Sequence, residues 1–273
     1  MLLKVLTEPA SEGLTIAGAR IFFTVPMPLQ NMPITESQIN TWLVMLSILG
    51  LCLFLTHGIA SDKRTARQMI AEWAVEQCEK LVKQNMEHDV FAGYGPFVAA
   101  IMALSVCSSL LTLIGLYPPT SDLNIVGGWA LLVFILIMKN KLKAGPVHYL
   151  KSLVDPIPVM APMNIIGEFA TPISMSFRHY GNVLSGSVIS ALVAWALGNL
   201  TSKLLGWLPG FLGEIPFLQI GLPAVLSLYF DLFSGCMQAF IFAMLTMLYV
   251  SGGYPAEELM NRLSKKAKPN PAQ

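Results

Sequence analysis

Arg178 sits inside SMSFRHYGNVLSG, Ser174 to Gly186, a stretch that otherwise reads as membrane-buried helix. No other Asp, Glu, Lys or Arg lies between Glu168 and Lys203. An arginine at the centre of a spanning helix costs about 2.5–3.5 kcal/mol on insertion scales, so its retention points to a functional charge. Asn182 follows four residues later and falls on the same helical face, as does Ser185 after two turns. Ser176, Gly181, Ser185, Gly186 and Ser187 would admit a second helix closely. The alternative, an arginine snorkelling from a helix end to the headgroups, conflicts with the apolar sequence that runs on to Leu200. A second apolar segment holds Asp231 and, seven residues on and so on one face with it, Gln238. A buried carboxylate must be paired or neutralised. Asp231 therefore either balances Arg178 as a structural pair or takes part in an ion path with the amides and hydroxyls around it. Glu168, ten residues before Arg178 and about 15 Å away along a helix, reads as the mouth of a second aqueous access or as a carboxylate solvated at a helix end.

These residues need elements that cross a bilayer, and the composition supplies them. The chain of 273 residues is 54% hydrophobic and 12% charged, where soluble domains carry about 25% charged residues. The predicted fold is an all-α membrane protein of about five membrane helices plus an amphipathic surface helix, its last two helices forming a long tilted hairpin. An N-terminal tail, 1–36, holds a short strand or interfacial piece and shows no cleavable signal. Residues 37–273 form a single integral membrane domain with spans near 39–60, 93–116, 123–138, 163–200 and 217–250. Residues 62–89 turn polar, and Met69, Ile70, Trp73, Val75, Leu81 and Val82 recur there at helical spacing, predicting a helix on the membrane or against a partner, or a solvated connector. The paired prolines of YPPTSD, Tyr117 to Asp122, end the second span. The fourth segment is too long to cross a hydrocarbon core of about 30 Å upright. It must tilt, bend or run partly along the membrane plane.

Thirteen of the seventeen Lys and Arg residues fall at 63–83, 139–151 and 262–268. Five spans with the N-terminus outside put all three clusters in the cytoplasm, as the positive-inside rule asks. A net charge of +1 argues against a nucleic-acid partner. Cys52, Cys78, Cys107 and Cys236 form no CxxC pair and read as small buried hydrophobes, and the four histidines lack metal-ligand spacing. There is no phosphate-binding glycine loop and no nucleophile elbow. The chain therefore calls for no cofactor, metal or hydrolytic site. A secondary transporter or channel would show internal repeats with helices broken at the midplane, and no such duplication is visible.

The arginine motif resembles the S-L-S-L-R-L-F-G-N-x-x-A-G signature of subunit a of the F-type ATP synthases. GLYPPTSDLN (Gly115 to Asn124), the P-x-N-x-x-x-E run from Pro162 to Glu168, and QAFIFAMLTMLYV (Gln238 to Val250) match the same family in order and spacing. The resemblance covers Phe91 to Val250 and implies a stator subunit of a bacterial plasma membrane. Its partners would be the c-ring, the subunit b peripheral stalk, the lipid bilayer and, indirectly, the catalytic head. It would carry two offset half-channels for H⁺ or Na⁺, separated by the arginine, with ATP chemistry on other subunits. By this likeness Arg178 is the essential arginine, Asn182 and Gln238 are its polar neighbours, and Asp231 stands in the outer half-channel. Glu168, Ser187 and His179 are candidate half-channel lining. Phe177, His179 and Tyr180 replace the commoner Leu, Leu and Phe; Ser187 stands where some relatives carry a carboxylate, and Thr171 where lysine is frequent.

Overall fold

The computed structural model describes residues 18–26, 28, 31–57, 66–86, 89–154, 157–205, 221–222 and 225–255. The start of the tail, the Gly/Pro-rich turn from 206 onward, the start of the last span and the 262–268 basic cluster lie outside them. Two strands, β1 (Ile21–Val25) and β2 (Met32–Thr35), pair antiparallel with Val25 opposite Met32. Everything else regular among the described residues is helical: α1 (Glu36–Thr56), α2 (Ala66–Asn85), α3 (Gly95–Ile114), α4 (Leu123–Lys141), α5 (Pro146–Val154), α6 (Ala161–Leu205) and α7 (Gly235–Gly252). A π-helical turn, Leu228–Ser234, leads directly into α7. Five helical stretches are long and apolar enough to cross a membrane: Glu36–Thr56, Gly95–Ile114, Leu123–Lys141, Pro158–Thr201 and Val225–Gly252. The amphipathic helix is present as α2.

Local chemistry sets the ends of these helices. Gly115 closes α3 at φ 86, a left-handed conformation that costs glycine nothing, and its N–H reaches the carbonyls of Leu111 and Thr112. Asp122 caps α4 by accepting from the Asn124 N–H at 3.0 Å. The same carboxylate accepts from Ser37 Oγ at 2.6 Å, and Asn40 donates to the Tyr117 carbonyl at 2.8 Å. These bonds tie the start of α1 to the loop between α3 and α4. The Arg67 guanidinium lies 4.3 Å from the centre of the Phe54 ring, which links α2 to α1.

The core lies where α2, α3, α4 and α7 meet, with Phe91, Val98, Val133, Phe242 and Met247 almost wholly buried. Beyond it the apolar surface faces outward, as lipid requires: Leu46, Leu53, Ile114, Ile135 and Leu248 are exposed. Met69, Ile70 and Trp73 of α2 are exposed too, which suits a helix lying at a membrane interface. The cysteines are not buried as expected. Cys52 is exposed and the other three are half-buried, all with free thiols.

The predicted fourth span is one continuous helix of 45 residues, about 67 Å long, so any crossing of a bilayer by it is steeply inclined. Pro172 lies within it and leaves the Glu168 carbonyl without its helical N–H donor. α6 packs along α4 and against both the π-helical turn and α7. The seam between α3 and α7 is closer still. A Cβ built on Gly235 would lie 2.6 Å from the Ser109 side chain, so this close approach requires glycine.

Candidate functional site

Arg178 emerges from α6 on an exposed face, beside exposed Ile173, Ser174, Phe177 and Ser185. Among the described residues no hydrogen bond or ion pair engages its guanidinium. Asn182, expected to share that face, is half-buried and turned to the last helical segment. Its amide donates to Ser234 Oγ at 2.8 Å and accepts from the same hydroxyl at 3.0 Å. The fold thus divides the expected arginine cluster: the charge faces outward, and the amide locks α6 to the end of the π-helical turn.

Asp231 sits in the middle of that turn, half-buried. Its carboxylate accepts from Ser227 Oγ at 2.5 Å, and the turn packs against α3. It makes no ion pair with Arg178 among the described residues, so the structural-pair alternative has no support in the packing. A π-helical turn adds one residue to the helical repeat and commonly marks a functional site. Here it aims Asp231 at α3 and Ser234 at α6. Gln238 is buried one turn into α7. Gly186 of α6 lies against Phe230 of the same turn, with only 3.0 Å between its virtual Cβ and the phenylalanine Cβ. Ser187 is exposed, its hydroxyl donating to the Leu184 carbonyl at 2.8 Å.

His179, next to the arginine, points the other way and is 1% exposed. Its Nε2 lies 3.3 Å from Ser105 Oγ, and the edges of Trp129 and Phe242 pack around the ring at centroid distances of 6.0 and 5.7 Å. Its Nδ1 is buried without a hydrogen-bond partner among the described residues.

Glu168 is partly buried and has two donors. Lys141 donates to its Oε1 at 2.6 Å and the Tyr149 hydroxyl to its Oε2. The Glu168 side chain is 14% exposed and that of Lys141 30%, so the pair is partly shielded and each carboxylate oxygen has a donor. The clamp borders a cavity of 650 Å³ lined also by Leu153, Asn164, Leu248 and Tyr249. Burial first, and then the Glu168 carboxylate, push the Tyr149 hydroxyl up to about 12.

Tyr149 therefore stays protonated and donating at neutral pH. Tyr149→Phe is expected to cost about 1.5 kcal/mol, the low end for a bond to a charged group because the site is half-open. The folded state holds the hydroxyl above its ordinary value of 10. Its contribution is accordingly complete below pH 10 and is lost as pH rises through about 12. Thermal midpoints of wild type and variant in detergent should differ by a constant amount up to that range and converge within it. A difference that persists unchanged above it would detach the bond from the tyrosine proton.

Sequence reasoning missed Lys141, Tyr149, Ser227 and Ser234, and it missed the hydroxyl row Ser105, Ser109 and Thr112. That row had a readable signal, hydroxyls spaced four and then three residues apart on one face of an otherwise apolar span. The other residues are brought in by tertiary packing.

The sequence profile of the family described as ATP synthase A chain matches residues 38–251. Similar proteins include the ATP synthase subunit a of Legionella pneumophila, 27% identical over 233 residues that cover 85% of this chain and 91% of the relative. That of Bacillus pumilus is 31% identical, over 75% of this chain and 86% of its own. A protein of Propionigenium modestum named ATP synthase subunit a, sodium ion specific, is 28% identical, over 87% and 85%.

Proposed function

Since the chain belongs to the ATP synthase A chain family, we propose that it conducts ions to and from a c-ring through two half-channels kept apart by Arg178. Its membership makes it the a subunit of the membrane sector, a stator component in ion translocation. The observation that carries the finer reading is the placement of Arg178, a permanent charge on an exposed face with no other charge and no partner among the described residues. Such a charge needs a counter-ion, and a carboxylate on a neighbouring rotor supplies one.

A rotor carboxylate facing lipid must be neutral, through a proton or a bound cation. Opposite Arg178 it is favoured as an anion and gives its ion to one half-channel. Once past, it is reloaded from the other. Arginine keeps its proton under all working conditions, so the same charge attracts the carboxylate and blocks direct leakage between the half-channels. Asp231 with Ser227, and Gln238 farther along the same segment, form the outer path. The cavity beside Glu168 forms the mouth of the cytoplasmic one, with the Lys141 and Tyr149 clamp at its rim. Asn182 and Ser187 line the α6 side between them. Transport is driven by about 2.3 kcal/mol per charge per 100 mV. ATP itself is handled by other subunits.

The lysine clusters support a multi-pass topology in a bacterial plasma membrane with the N-terminus outside and the C-terminus in the cytoplasm. The c-ring is the main partner, subunit b the stalk contact. The ion is H⁺ or Na⁺; the relative from Propionigenium modestum is named for sodium.

Purification from mildly solubilised membranes is expected to bring down a ring of small two-helix proteins together with an ATP-hydrolysing head. Vesicles of that complex should take up H⁺ or Na⁺ when given ATP. In the same vesicles a cysteine at exposed Asn124 should react with an impermeant label from the outer side and one at Lys143 from the cytoplasmic side. A chain that purifies alone and carries a solute of its own would favour a secondary transporter instead.

A further inference from the structure

Helix α5 has nine residues, too few to cross a bilayer, yet its free face is apolar. Val147 is 79% exposed and Leu150 61%, and Val154 is exposed beside them. At about 100° per residue these three side chains fall within one arc of about 60°. The protein uses the other side of the helix. Leu153 is buried, its carbonyl accepts from the Asn164 amide of α6 at 2.9 Å, and the Tyr149 hydroxyl donates to Glu168. Past α5 the chain runs through Ile157 and Val159, which are exposed as well.

Place and charge together indicate what covers this face. The spanning helix α4 ends at Lys141, and the next spanning stretch begins at Pro158. A segment held between the ends of two crossings lies at the bilayer boundary. No Asp or Glu stands between Asp122 and Asp155, whereas Lys139, Lys141, Lys143 and Lys151 all do. Lys141 is taken by Glu168. Lys139, Lys143 and Lys151 are exposed and meet no carboxylate among the described residues. By helical periodicity Lys151 falls at the edge of the apolar stripe, on the side away from Leu153. An apolar stripe edged by lysine matches acyl chains beneath it and anionic headgroups beside it.

We propose that α5 is a lipid-seated helix, with Val147, Leu150 and Val154 set into the leaflet and the neighbouring lysines holding anionic phospholipid headgroups. Seating α5 fixes Tyr149 and, through Tyr149, the Glu168 wall of the cavity. The lipid contact rests only on the chain's crossing a bilayer. Its effect on transport deepens the reading above, in which that cavity is the cytoplasmic mouth, and anionic lipid then stabilises the mouth in the shape described.

The test uses the whole complex in phosphatidylcholine vesicles, with and without an equal part of phosphatidylglycerol. With the other cysteines replaced, Leu150→Cys on the stripe and Ser152→Cys on the opposite side of α5 each carry an environment-sensitive fluorophore, and nitroxide-bearing lipid is the quencher. The label at 150 is expected to lose most of its fluorescence and the label at 152 little. ATP-driven pumping by the wild type should rise several-fold with phosphatidylglycerol. Lys143→Gln combined with Lys151→Gln should remove most of that rise, each lysine contributing roughly fivefold or less. Leu150→Asn should slow pumping at normal subunit content. Equal quenching at the two positions, or none at 150, would overturn the proposal, as would wild-type pumping indifferent to phosphatidylglycerol. Loss of subunit b or of the c-ring from the Leu150→Asn complex would make this face a protein interface and overturn it too. If the wild-type complex moves neither H⁺ nor Na⁺ on ATP, the half-channel reading fails, and the quenching alone decides the lipid contact.

Discussion

Arg178→Lys is expected to assemble with normal subunit content yet to bring coupled ATP synthesis to about 1% of wild type or below, a ratio equal to about 2.7 kcal/mol. The substitution keeps a positive charge in water but not the properties that the site uses. Lysine has a reference pKa near 10.4, which a poorly solvated position lowers by several units. With no counter-charge among the described residues, an ammonium there loses its proton whenever no rotor carboxylate stands opposite, and the barrier between half-channels opens. The planar fork of arginine, which can hold a passing carboxylate through two hydrogen bonds, is also replaced by a compact ammonium. Arg178→Ala removes the barrier outright and should add passive ion flux to the loss of synthesis. Both quantities are read in reconstituted vesicles and scored against subunit content. Near-normal synthesis in the lysine variant would make Arg178 a replaceable structural charge, and the proposed mechanism would lose its centre. The exposed, apolar surroundings of the residue make that outcome hard to reconcile with its insertion cost.

Asp231→Asn is expected to slow ATP-driven ion pumping about tenfold, equal to about 1.4 kcal/mol, while Asp231→Glu should retain much of the rate. Asparagine is nearly isosteric with aspartate and can still accept from Ser227, so the π-helical turn should keep its shape. What it cannot do is exchange a proton or carry a negative charge for a cation. Because no Asp231–Arg178 ion pair exists among the described residues, the variant does not strand a buried arginine, and lost pumping is not explained by lost assembly. Intact pumping with weakened assembly would instead make Asp231 a packing residue of the turn. Pumping rate and subunit content, measured on the same vesicles, separate the two.

Much of this molecule was legible in the order of its residues. In a bilayer a helix satisfies its own backbone, so long apolar runs between charged clusters were enough to predict five crossing helices, and five helical stretches among the described residues are long and apolar enough to cross. The isolation of Arg178 within such a run made it a candidate functional charge before any geometry was known. Helical spacing could assign faces, but it could not say what each face would meet. Arg178 and Asn182 share a face by periodicity, yet one is exposed and the other bonds Ser234 at the end of the π-helical turn. Asp231 and Arg178, opposite in charge, could be read as a structural pair or as parts of an ion path. In the turn at Leu228–Ser234 the Asp231 carboxylate is bonded by Ser227 instead. Glu168 found Lys141 and Tyr149, residues distant in sequence that α4 and α5 bring together at the cavity. His179 was a departure from a family pattern until α3 set Ser105 beside it. Hydropathy is a property of a segment and survives in the sequence, whereas partnership depends on contacts across helices set by packing and a one-residue shift in helical repeat, which local periodicity does not encode.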